Sequence, residues 1–144
     1  MCFIIHERHP TAKIAKKDIT CYKFLTSDLE PPVFGASIRR NVVIHFKYLL
    51  NKLNDRVVLQ EHHCKYYDVS RGCPCLERVI NRGYHSYSSI RQVKKERYLF
   101  ESKFHSGYYL TLVSCIIPKG EVYFFNPINH QYVSSNIIIN KIIE

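Results

Sequence analysis

The spacing of apolar residues along the chain predicts mostly strands. Asp18–Leu25 joins β-branched and aromatic residues ahead of Ser27–Pro32, whose paired prolines cannot continue a ladder, so a first strand is expected there. Arg56–Gln60 and Lys65–Val69 read as short strands of a hairpin across a polar stretch, and Gly72–Cys75 reads as a loop. Tyr108–Ile117 is a nearly continuous apolar run. A Pro118–Gly120 turn, a strand at Val122–Phe125, a proline-containing loop and an apolar run at Val133–Ile143 follow it, the pattern of a β-meander. Two segments carry helical spacing. Val42, Phe46, Leu49 and Leu53 form a stripe over Asn41–Leu53, in competition with the strand-like composition of Val42–Phe46, and the helix is the reading adopted. Ser88 or Ser89 can cap a second helix that runs through Glu101, with Ile90, Val93 and Arg97 on one face. These elements predict one α+β domain over residues 1–144, a mostly antiparallel sheet with one or two packed helices.

Composition agrees with a single packed core. The chain has 144 residues, 46% hydrophobic and 13% aromatic, with 11 Tyr, 8 Phe and no Trp, which excludes disordered, collagen-like and low-complexity readings. No apolar run approaches the ~20 residues of a membrane-crossing helix, and the start, Met1–Arg8, lacks the pattern of a signal peptide, so the expected setting is cytoplasmic, with no membrane partner. The six cysteines, Cys2, Cys21, Cys64, Cys73, Cys75 and Cys115, are then expected as reduced thiols, mostly small buried hydrophobes.

Charge changes the picture most. Lys and Arg number 21 against 12 Asp and Glu, a net +9 that points to an acidic partner. Over 78–103 the cations Arg78, Arg82, Arg91, Lys94, Lys95, Arg97 and Lys103 face only Glu96 and Glu101, so this stretch is the candidate phosphate or nucleic-acid contact. Tyr84, Tyr87 and Tyr98 could stack a base, and His85 could line the same pocket. His85 beside Ser86 has the residue types of acid–base chemistry, but no nucleophile elbow surrounds the serine, and no catalytic residue is assigned. His62, His63, Cys64, Cys73 and Cys75 are soft ligands within a short span. Cys73-Pro-Cys75 lacks the knuckle spacing of zinc sites, so zinc on His62, Cys64, Cys73 and Cys75 is the lesser reading beside plain thiols, and no cofactor is expected.

Met1-Cys2, the Ile14–Lys23 block, Arg82–Tyr87, Cys115–Gly120 and Tyr132–Ile139 together resemble short accessory proteins of phages and prophages, which carry comparable blocks in the same order. The resemblance spans both ends, fits residues 30–80 poorly, and implies a phage-derived protein in the cytoplasm of a host bacterial cell, without an assigned activity. The end of the chain is more weakly similar to ADP-ribosyltransferase domains. Those enzymes place a glutamate near the final strand, where this chain has Ser134, Ser135 and Asn136. The expected function is a non-enzymatic counter-defence binder. Its basic surface would engage a host protein or ribonucleoprotein with exposed RNA. The alternatives are a binder of a phosphorylated nucleotide signal, or a degenerate ADP-ribosyltransferase-like domain with residual chemistry.

Overall fold

A computed structural model describes residues 3–26, 48–63, 78–95 and 110–143. Its strands are β1 (Phe3–Ile4), β2 (Lys13–Ile14), β3 (Ile19–Thr26), β4 (Gln60–His63), β5 (Arg78–Arg82), β6 (Tyr84–Tyr87), β7 (Leu110–Ile117), β8 (Val122–Asn126), β9 (Gln131–Ser134) and β10 (Ile138–Ile142). They form a three-stranded sheet, β1-β5-β4, and a seven-stranded sheet, β10-β7-β3-β6-β9-β8-β2, every named pair antiparallel. One short helix is described from residue 90 to 95. The architecture is therefore mostly antiparallel sheet with a helix packed on it.

Alternation along the strands sorts side chains between the two faces of the large sheet. Cys21 and Leu25 of β3, Tyr84 of β6, and Val113, Cys115 and Ile117 of β7 join Ala15, Tyr48, Ile137 and Ile139 in one core, with Tyr123 and Tyr132 packed against it. Strands β7 and β8 lie four places apart in the order, about 19 Å across a flat sheet at ~4.8 Å per strand. Residues from both meet this core, and residues 15–18 alone join β2 to β3, so the sheet curls around it.

The opposite face carries two smaller cores. Phe124 and Val133 pack under Phe3, Ile5 and Ile80 of the small sheet. Phe24, Tyr87 and Leu112 pack under Val93 of the helix. Gly83 joins β5 to β6 where no side chain fits: a Cβ there would meet Val133 Cγ2 at 2.5 Å and Leu59 Cδ2 at 2.6 Å.

Several sequence expectations change. β3 and the Ser89 cap hold, the latter through Gln92 N–H donating to Ser89 Oγ at 3.2 Å. The expected helix over 41–53 fails in its described part. Residues 48–53 form a strap with isolated bridges Leu50↔Ile139 and Leu53↔Ile138, because Leu49, Leu50 and Leu53 stay exposed while Tyr48 enters the core. Residues 56–59 are irregular, and β4 starts at Gln60. Its hairpin partner is β5, while the proposed strand at 65–69 lies outside the described residues.

The C-terminal third is not a meander. β7 and β8 are not neighbours, β10 returns to pair with β7, and Ser135–Ile137 separates β9 from β10. Apolar runs reveal strands but not which strand lies beside which.

Candidate anion-binding surface

The helix follows β6 directly, and its first turn is capped by Ser89, whose carbonyl also accepts from Val93 N–H at 3.2 Å. Val93 is fully buried against Phe24, Tyr87 and Leu112. At 100° per residue, Arg91, Lys94 and Lys95 fall on the flank turned away from Val93, and all three are exposed. Burying one apolar residue of the turn thus presents three cations together.

The two other predicted cations among the described residues stand on a different element. Arg78 lies on β5 of the small sheet, where its Nη2 donates to Glu61 Oε2 at 2.7 Å and its Nε to Glu61 Oε1. Glu61 neutralises it, and the ion pair holds the guanidinium above its ordinary value. Arg82 is exposed at the end of the same strand. Arg97, Lys103 and Tyr98 lie outside the described residues, as do Cys64, Cys73 and Cys75 of the metal alternative, and His62 sits on β4.

The stacking tyrosines are corrected. Tyr84 is 4% and Tyr87 6% exposed. Tyr84 packs in the curled core with its hydroxyl donating to the Asp55 carbonyl at 2.5 Å, and burial pushes that hydroxyl up to about 12. Tyr87 supports the helix from beneath. Alternating β6 positions must enter a core on each face, so neither ring is left for a base.

His85 is half-buried, with Nε2 enclosed and lacking a hydrogen-bond partner among the described residues. Burial, reinforced by the Lys23 charge, pushes its imidazole down to about 4, although the Ile80 and Gly83 backbone favours the charged form. It is neutral at pH 7. The neighbouring Ser86 hydroxyl is fully buried and lies beside the Cys21 thiol.

Ser134, Ser135 and Asn136, at the transferase-like end, are all buried in structural bonds. Ser134 Oγ donates to the Asn136 carbonyl at 2.9 Å, Ser135 Oγ donates to Glu121 Oε2 at 2.7 Å, and Asn136 Oδ1 accepts from Asn54 and Ile137 N–H groups. Burial alone would raise the Glu121 carboxyl. The bonds from Arg56 and Ser135 outweigh it and hold that carboxyl below the usual range.

A second cation group escaped sequence reasoning. Lys13, Lys16, Lys17 and Lys119 are all exposed at a corner where the turn over 15–18 meets the Pro118–Gly120 turn. Lys119 N–H donates to Asp18 Oδ1 at 2.9 Å and Gly120 N–H to the Ala15 carbonyl at 2.8 Å, which ties the two turns together. Lys16-Lys17 is visible in the sequence, but Lys119 comes from about a hundred residues away, and no local pattern announces the meeting.

A cleft of about 520 Å³ lies between the small sheet and the β8–β9 turn, lined by Ile5, His6, Glu7, Arg78 and Asn126 among others. Two of its polar groups are committed internally: Asn126 Nδ2 donates to the Ile4 carbonyl at 3.1 Å, and Arg78 is held by Glu61. Among the described residues no group of three or more His, Cys, Asp or Glu is placed to hold a metal ion, and no helix is long and apolar enough to cross a membrane. Comparisons with protein-family models, curated proteins and solved structures find no match.

Proposed function

We propose that the protein is a non-enzymatic binder of a phosphate-rich partner, an exposed RNA strand of a host ribonucleoprotein, and that it acts in counter-defence. One observation carries the anion-binding reading: Arg91, Lys94 and Lys95 stand exposed together on the helix flank turned away from the buried Val93. The Lys13, Lys16, Lys17 and Lys119 corner and the net +9 support it. The phage setting and the cytoplasmic location rest on the resemblance of the sequence blocks, and the architecture assigned is one α+β domain. Burial of Tyr84 and Tyr87 favours phosphate contacts over base stacking, and weakens the nucleotide-pocket alternative built on those rings.

Fluorescence anisotropy with a labelled single-stranded RNA tests the proposal. Three phosphate contacts on a single strand give a log–log salt slope of about −2, hence affinity about 15–20-fold weaker at ~200 mM than at ~50 mM salt. The triple variant Arg91→Glu, Lys94→Glu, Lys95→Glu should abolish most of the binding and keep the melting temperature. Salt-independent binding, or full affinity in the triple variant, would overturn the assignment.

A further inference from the structure

The curled core holds chemistry that the anion-binding reading does not use. Cys21 on β3 and Cys115 on β7 are register partners, directly opposite each other in an antiparallel ladder. Both side chains enter the same core, both are 0% exposed, and both are free thiols. Directly opposed antiparallel residues have Cα atoms about 4.5–5.5 Å apart, inside the span of about 4.4–6.8 Å that a disulfide bridges. The two thiols lie against one another. We propose that Cys21 and Cys115 form a reversible dithiol site that hydroperoxides oxidise to a cross-strand disulfide.

The surroundings favour the first step at Cys21. Burial alone would raise its thiol, but contact with Cys115 and Ser86 and the charge of Lys23 outweigh burial and hold it below the ordinary value. Burial pushes Cys115 up. Lys23 is itself buried, with its ammonium donating to the Tyr48 hydroxyl at 2.6 Å. The strand pair therefore places a thiol held below its ordinary value beside one that burial pushes up, the order expected of an attacking and a resolving cysteine.

The chemistry balances with a hydroperoxide as oxidant. The Cys21 thiolate attacks one peroxide oxygen, the O–O bond breaks, and Cys21 becomes a sulfenic acid while the leaving oxygen takes a proton. Cys115 sulfur then attacks Cys21 sulfur, the S–O bond breaks, and the hydroxide leaves as water with the Cys115 proton. Two thiols and one hydrogen peroxide give one disulfide and two waters, and a thiol reductant reverses the change.

Among the described residues, the strap over 48–59 covers part of this core with Tyr48 and Val57. It is tied down by Asn54 Nδ2 donating to the Ile137 carbonyl at 2.8 Å and by Asn51 N–H donating to the Ile139 carbonyl at 2.7 Å. Oxidation therefore proceeds through opening of the strap and is slow in the closed protein.

The experiment treats the reduced, full-length protein with hydrogen peroxide, quenches it by acid and digests it without reduction. The expected result is a linked peptide pair containing Cys21 and Cys115, lighter by two hydrogen atoms than the two reduced peptides together, and its loss on adding dithiothreitol. In Cys115→Ser, Cys21 should instead gain one oxygen and be trapped by dimedone. Unlinked Cys21 and Cys115 peptides after complete consumption of the other thiols, or a bridge from either to a different cysteine, would overturn the proposal. The wild-type digest decides the matter even if the variant fails to fold.

Discussion

The two faces of the seven-stranded sheet are covered by different means. One is covered by regular elements, the small sheet and the helix, which contribute Phe3, Ile80 and Val93 and ask only that apolar side chains meet. The curled face is covered in part by an irregular strap whose backbone has no ladder of its own, so its polar groups need partners from elsewhere. Asn54 and Asn136 supply them: Leu49 N–H donates to Asn54 Oδ1 at 3.0 Å, and Asn54 N–H donates to Asn136 Oδ1 at 3.1 Å. That face also encloses Lys23, Cys21, Cys115 and Ser86, a polar group within an otherwise apolar core. Regular cover is specified by pattern, irregular cover by individual side chains.

The largest contrast should come from paired truncations. Ile80→Ala removes a fully buried side chain under the small sheet and should cost about 2–5 kcal/mol in a urea melt. The exposure of Cys21 and Cys115 to a thiol reagent at low urea should not change. Asn136→Ala leaves the Asn54 and Ile137 N–H groups without their buried acceptor and should cost about 2–4 kcal/mol. Here the reagent should reach the thiols faster, because the strap lifts before the sheet unfolds. Equal thiol reactivity in the two variants would show that the faces open as one unit.

Acid separates the regions more gently. His85 is held at about 4 in the folded chain, against about 6.5 when unfolded. Between these values the unfolded chain binds the extra proton, so the stability from the neutral imidazole is complete above about pH 6.5 and lost as pH falls toward about 4. The loss is at most about 3 kcal/mol, and His85→Gln should flatten this part of a stability profile. An unchanged acid limb in His85→Gln would place the acid sensitivity in other groups.

Much of the local structure was legible. Ile19–Thr26, Leu110–Ile117 and Val122–Asn126 follow from β-branched and aromatic runs, and the helix start follows from Ser89 ahead of Ile90 and Val93. Arg78–Arg82 and Tyr84–Tyr87 were not read as strands, because their alternation is short and interrupted by Gly83. The strap carries a misleading signal, since Leu49 and Leu53 mimic a helical stripe but remain exposed. Of the candidate surface, Arg91, Lys94 and Lys95 were found because helical spacing is local, whereas the Glu61 partner of Arg78 and the Lys119 neighbour of Lys16 come from distant segments.

The amino-acid sequence by itself determined the positive charge, the strand-rich character and the clustering of three cations on one helix turn, since each depends on composition or on spacing within a few residues. Tertiary structure alone decided that Tyr84 and Tyr87 are core, that Arg78 is neutralised, and that Cys21 faces Cys115 across a ladder. Those outcomes depend on strand order and register, which bring together residues that chain spacing keeps far apart.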